Sequence, residues 1–405
     1  MKKTILSFLL LSLVIFAYSQ TFSNYSIKTG FLYGTILEHN EHLKGFVTGP
    51  STGGAIAVEW QTYGEKAWHR YFNLPTMGVE AVLVDFSNPE MLGKGLGLYP
   101  YLHIPIIRTN HFLLNFKSGA GISFLNKHYG NTPHLSETSL RGSNGAIGSA
   151  LNVFLACGGN LEIPVAYGFS LTADYAWNHV SNGSVIQPNS GINMMNAYVG
   201  LKYRPNYQTA SMPERKTLPD IPRKFAVEVN LAGGVRELYY RDDTKFPIGA
   251  LSVSVHRPMT NWYRMGAGAD VFYDGVFGAV YKDFSEESTK NITYFERTYI
   301  TSDETKNKIR AGVSWQHELM FGRFIAGFHF GLYLYDPIKN REPFSGNGEL
   351  NKPLIYGYDI EKEDGWLYTR ASAKYMITEH FFGIVSLKTH LQKAEFIAWG
   401  VGYRF

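Results

Sequence analysis

From Ala394 to Phe405 the chain alternates with a period of two residues. Ile397, Trp399, Val401, Tyr403 and Phe405 are large and apolar, while Ala398, Gly400, Gly402 and Arg404 between them are small or charged. Successive side chains of a strand point to opposite faces, so the first set falls on an apolar surroundings and the second on a polar interior. The same alternation recurs in 169–181, 195–204, 262–273, 324–335 and 381–389, with Tyr or Phe gathered at the strand ends. Connections alternate too. Those near Arg257 to Thr260, Phe321 to Arg323 and Thr378 to His380 are tight, whereas 282–308 and 336–365 are long and polar. Short turns on one rim and long loops on the other are the periplasmic and extracellular pattern of an outer-membrane barrel. The fold class expected is therefore all-β, an antiparallel transmembrane β-barrel.

The N-terminus agrees with export. Met1-Lys2-Lys3 is a positive start, Ile5 to Phe16 is apolar apart from Ser7 and Ser12, and Ala17-Tyr18-Ser19 ends in small residues at the cleavage positions. This predicts a signal peptide over residues 1–19, with Gln20 the first mature residue and no lipidated cysteine there. After it no apolar run is long enough for a spanning helix. With the mature N-terminus periplasmic, odd-numbered strands run outward. Loops around Asn291 and Asn347 are then extracellular, and the segment around Pro213 is periplasmic.

Organisation reads as a duplication. Residues 20–204 and 224–405 each hold roughly eight strands, enough for a small membrane barrel. Both halves end alike, in Val199-Gly200-Leu201-Lys202-Tyr203-Arg204 and in Val401-Gly402-Tyr403-Arg404-Phe405. Between them, residues 205–223 contain Pro205, Pro213, Pro219 and Pro222, and proline removes ladder donors, so this stretch is a linker. Two tandem eight-stranded barrels are favoured over one barrel of about sixteen strands. The aromatic C-terminal residue resembles the signal read by the outer-membrane assembly machinery, the expected folding partner.

Composition narrows the functions. The chain has 27 Phe, 27 Tyr and 41 Gly but only 18% charged residues, as suits a barrel with aromatic girdles. Its net charge of +4 is spread along the chain, which argues against nucleic acid. The single cysteine, Cys157, rules out an intramolecular disulfide. Glu286, Glu287 and Asp303 in the long loops read as solvated surface, so no metal site is assigned and no cofactor is expected. His390 shares the parity of Ser386 and Lys388 and reads as an interior residue.

The candidate chemistry lies at the outer end of the seventh strand. Phe169, Leu171, Ala173, Tyr175 and Trp177 take the lipid parity; Ser170, Thr172, Asp174 and Asn178 face inward. His179 and Ser181 share the apolar parity, where polar groups are costly unless near the interface. A base and a nucleophile there would meet the acyl region of outer-leaflet lipid. Asn193, with the parity of Met195 and Ala197 on the returning strand, lies on the same side. A plain interfacial His-x-Ser pair and turn-forming Asn-Gly and Pro-Asn-Ser-Gly segments are the ordinary alternative.

The run His179-x-Ser181-Asn182, followed by Pro188-Asn189-x-Gly191-Ile192, resembles the lipid A 3-O-deacylase, or acyloxyacyl hydrolase-related, family of eight-stranded outer-membrane esterases. The resemblance implies His179 as general base, Ser181 as nucleophile, and Asn182 and Asn189 near the oxyanion. It also implies a Glu where this chain has Asn193, whose amide can accept the imidazole N–H but brings no charge. The resemblance further implies an outer-leaflet lipid, lipid A or lipopolysaccharide, as the substrate partner. Against this stand a channel or adhesin-like barrel with a decayed site, and a structural barrel with partner-binding loops.

Overall fold

The computed structural model describes residues 24–39, 43–134, 142–207, 220–238, 240, 243–278, 303–337, 366–390 and 393–405. The signal segment, Pro213, Glu286, Glu287, Asn291 and Asn347 lie outside the described residues. The chain folds as two closed antiparallel barrels of eight strands each, not as one large barrel. The first comprises β1 (Tyr25–Leu37), β2 (Ser51–Gln61), β3 (Thr76–Asp85), β4 (Lys94–Arg108), β5 (Leu113–Leu125), β6 (Leu151–Ala166), β7 (Phe169–Ser181) and β8 (Ile192–Tyr203). The second comprises β9 (Ala226–Arg236), β10 (Phe246–Pro258), β11 (Tyr263–Asp274) and β12 (Ile309–Phe321). It is completed by β13 (Phe324–Tyr335), β14 (Leu367–Met376), β15 (Phe381–His390) and β16 (Lys393–Arg404). Closure is made by β8 pairing with β1, from Ile27 opposite Tyr203 to Leu37 opposite Asn193, and by β16 pairing with β9. Among the described residues no helix is long and apolar enough to cross a membrane. The exposed apolar positions of the strands form the lipid-facing surface with which a β-barrel crosses a membrane.

Period two sorts the side chains. Trp399, Val401 and Phe405 are exposed, Ala398 is buried, and β7 exposes Phe169, Leu171 and Tyr175 while burying Ser170, Thr172, Asp174 and Asn178. An eight-stranded barrel is just wide enough for side chains to fill, and here they are charged. In the first lumen Asp174 accepts from Lys28 at 3.0 Å and Lys117 at 2.9 Å, and Lys117 also reaches Glu80 at 3.1 Å. Lower in the same lumen Lys202 lies 2.7 Å from both Glu59 and Glu162. In the second lumen Lys374 bridges Glu228 at 2.7 Å and Glu318 at 2.6 Å, while Arg264 reaches Glu228 at 2.7 Å and Glu318 at 2.5 Å. His256 joins Glu228 and Glu318 in a cluster of metal-ligand type. Arg264, Lys374 and Arg404 already neutralise those two carboxylates, so the cluster is an ion-pair network. His390, 4% exposed, lies 3.1 Å from Glu395 inside the second lumen. Among the described residues, both lumens are therefore lined by ion-paired side chains.

Buried charges are tolerable only while paired. Asp174→Ala would leave Lys28 and Lys117 with Glu80 as their remaining shared counter-ion, a loss expected to destabilise the first barrel by about 3–5 kcal/mol. Denaturant unfolding in detergent micelles measures it, and an unchanged midpoint would refute the network's role.

The two barrels touch at both rims. On the short-turn rim, Phe72, which follows the helix α1 (Ala67–Tyr71), stacks on Phe321 at 4.3 Å and meets Trp262 edge-on at 5.9 Å. Trp68 closes over Gly322, whose φ of +69° and lack of Cβ are both needed, since a Cβ would stand 2.8 Å from the indole. On the opposite rim Tyr129 meets Tyr240 at 5.3 Å.

Candidate functional site

β7 and β8 place three of the sequence candidates in one row. His179 and Asn193 are directly opposed in the antiparallel ladder, so their side chains leave the same face close together. His179 Nδ1 lies 2.7 Å from Asn193 Oδ1. Ser181, two residues further along β7, shares that face, and its Oγ lies 2.8 Å from His179 Nε2. With the amide oxygen of Asn193 accepting from Nδ1–H, Nε2 is left to accept the Ser181 hydroxyl proton. The imidazole thus bridges an orienting group and a hydroxyl, the arrangement a nucleophile and its base require.

Two neighbours fix the ring. Trp177, two residues before His179 on the same face, stacks beneath the imidazole at 5.6 Å and 12°. Gly191 lies on the other side with φ +77°, and a Cβ there would stand 2.7 Å from His179 Cε1. Only glycine meets both constraints. Parity alone places Trp177 in the lipid-facing set and carries no sign of this contact. Ser181 is only 7% exposed, so the hydroxyl sits in a recess and not bare on the lipid face that parity alone suggests.

The β7–β8 loop, 182–191, carries the remaining candidates. Asn182 holds the loop together: its N–H donates to Asn189 Oδ1 at 2.8 Å, and its Nδ2 donates to Ser149 Oγ and to Ile186 O, each at 2.9 Å. Among the described residues the Asn189 Nδ2 has no hydrogen-bond partner, so of the two amides only this one retains a donor. The loop is further pinned by His39, whose Nε2 bonds Ser190 O at 3.1 Å, and by Gly191 N–H donating to Ala146 O at 2.8 Å. Neither His39 nor Ser149 stands out in the sequence, because each lies in a loop remote in sequence from the residue it meets, 151 and 33 positions away.

Further along the same face of β7 and β8 from the His179–Asn193 pair lies a groove of about 600 Å³. Its walls include Tyr33 and Thr35 of β1, Tyr175 of β7, and Met195 and Ala197 of β8, with residues 47–50 along one side. The ladder puts Thr35 opposite Met195 and Tyr33 opposite Ala197, so the groove continues the face that carries His179 and Asn193.

Two family models match the chain. Lipid A 3-O-deacylase (PagL) matches residues 53–202, and acyloxyacyl hydrolase, C-terminal domain, matches residues 225–345 and 354–405. None of the curated proteins matches. Similar solved structures include the outer membrane enzyme PagL, at 15% identity and a TM-score of 0.28, covering 43% of this chain and 97% of that one. Neisserial surface protein A is 8% identical with a TM-score of 0.29, covering 44% and 96%. A porin of Rh. blastica is 10% identical with a TM-score of 0.17, covering 94% and 99%.

Proposed function

Because the chain belongs to the lipid A 3-O-deacylase and acyloxyacyl hydrolase-related family of outer-membrane β-barrels, we propose that it is a serine esterase removing an ester-linked acyl chain from lipid A or a related outer-leaflet lipid. The observation that carries this reading is the continuous bonding from Asn193 through His179 to Ser181, on a face that a groove lined by Tyr33, Tyr175 and Met195 continues. Ser181 Oγ attacks the ester carbonyl as its proton passes to His179 Nε2. The oxyanion that forms is met by the Asn189 amide N–H. Collapse of this intermediate expels the lipid alkoxide, which takes the proton back from His179, and leaves the acyl group on Ser181. Water then attacks the acyl-enzyme with His179 again as base, releasing a free fatty acid and restoring the serine. The groove would hold the acyl chain, and Asn193 would keep the imidazole in the productive tautomer.

The test is mass spectrometry of lipid A from cells with and without the protein. Loss of one acyl chain from lipid A only when the protein is present supports the reading. Identical lipid A in both sinks it.

The base has to be neutral to accept the serine proton. Release is therefore expected to fall as pH drops through the ionisation of the imidazole. A rate that stays flat down to the most acidic pH at which the barrel remains folded, measured on detergent-solubilised protein, would remove His179 from the base role.

A further inference from the structure

The geometry points to Glu237 of the second barrel as a positioning residue for the catalytic loop, which makes that barrel part of the active site. This inference rests on the esterase reading of Ser181. Glu237 follows β9 at the rim of long loops and is only 5% exposed. Its Oε2 accepts the Gln187 N–H at 2.6 Å, and its own N–H donates to Ser184 O at 3.1 Å. Lys245, across the β9–β10 connection, ion-pairs with Glu237 and donates to Val185 O at 3.0 Å. From β16, Ala394 O accepts the Ser184 hydroxyl at 3.0 Å. The lipid-facing side chain of Ile397 packs on Gly183, where a Cβ would stand 2.4 Å from its Cδ1.

These bonds seize the backbone of 184–187 at both ends. Within the loop the grip passes on through Ile186, whose carbonyl holds the Asn182 side chain, and through Asn182 N–H, which holds Asn189 Oδ1. Asn189 is the residue whose free amide N–H faces the developing oxyanion in the proposed reaction, and Asn182 adjoins the nucleophile. A loop tied only to its own barrel would keep the His39 pin and the Asn182 contacts to Val185 and Ile186, but would lose the bonds at Ser184, the Val185 carbonyl and Gln187. A buried carboxylate that receives a backbone N–H is a stronger acceptor than a neutral group and fixes a direction as well as a distance. Displacement of about 1 Å at such a donor is enough to lose on the order of 10²-fold in turnover.

The experiment uses the full chain in detergent micelles with purified lipid A. Glu237→Ala is expected to lower kcat by ~10-fold to 10²-fold with KM within a few-fold of the original. Glu237→Gln, which keeps an oxygen for the Gln187 N–H, is expected to recover most of that loss. Hydrogen exchange supplies the readout that general weakening would not reproduce: amides of 182–191 should exchange faster in Glu237→Ala, while those of β7 and β9 keep their protection. If loop exchange is unchanged, or if Glu237→Ala turns over as fast as the original protein, the inference is overturned while the esterase reading stands. If the unaltered chain shows no Ser181-dependent release, the esterase reading falls and this inference falls with it.

Discussion

Replacing Ser181 with alanine is expected to reduce acyl release by at least ~10³-fold while leaving both barrels folded. The size of the loss follows from the role: without Oγ no acyl-enzyme forms, and the remaining groups can only orient water against the ester. The fold should survive because the substitution removes one hydroxyl whose bond to His179 contributes about 1 kcal/mol, against ladders that close the whole barrel. His179→Ala should fall as far, and the double variant no further, because base and nucleophile act as one unit. Heat-modifiable migration on a gel reports folding, and mass spectrometry of released fatty acid reports turnover. Unchanged release from Ser181→Ala would end the esterase reading and return attention to the binding alternatives.

Period two carries much of this architecture because a barrel wall separates lipid from a polar lumen at every second residue. Thus Trp399 and Val401 against Ala398, or Tyr175 against Asp174, are legible without coordinates. Alternation reports a face, however, and not a partner. Alternation in Ile192–Tyr203 does not say that it pairs with β1 instead of β9; the likeness of its end to the C-terminus favours the tandem, and the pairing with β1 decides it. Alternation also fails at irregularities. Glu395 shares the parity of Ile397 and Trp399, which would put a carboxylate in lipid. A register shift between Lys388 and Thr389 leaves Glu395 without a cross-strand partner and lets it turn inward, where it meets Lys388, Arg310 and His390.

The site divides in the same way. His179, Ser181 and Asn193 are local to one hairpin, so parity brings them together before any distance is known. The contacts that shape their surroundings are long-range. Glu237 lies fifty residues from the loop residue it holds, and Ala394 lies 210 residues from Ser184. Glu237 accepts from a backbone N–H and Ala394 acts through its own backbone carbonyl, and backbone groups have no residue-type signature in a sequence. Asn182 and Asn189 were legible as a pair of amides near the nucleophile, but only the bonding separates their parts, one bracing the loop and the other keeping a donor.

Asn193→Glu is expected to raise turnover, with ~10⁴-fold as the ceiling set by the comparable acid-to-amide change in serine proteases. The reasoning begins with the 2.7 Å contact between His179 Nδ1 and Asn193 Oδ1. An amide oxygen there selects the tautomer that leaves Nε2 free for the serine proton, but rotation of the same amide presents an NH₂ and selects the opposite one. A carboxylate has no donor to present, so the unproductive tautomer loses its support. It also supplies a full negative charge when His179 becomes imidazolium in the transition state, which a neutral amide cannot match. Asn193 lies opposite Leu37 at the rim, where a side chain longer by one methylene meets a half-open edge rather than a packed core. Asn193→Ala removes the orienting acceptor altogether and should turn over more slowly than the unaltered protein. The order expected in kcat is therefore Glu above Asn above Ala at this position. If Asn193→Glu is slower than the unaltered enzyme while its barrel folds normally, Asn193 does not orient the imidazole, and the third member of the catalytic row has to be sought elsewhere.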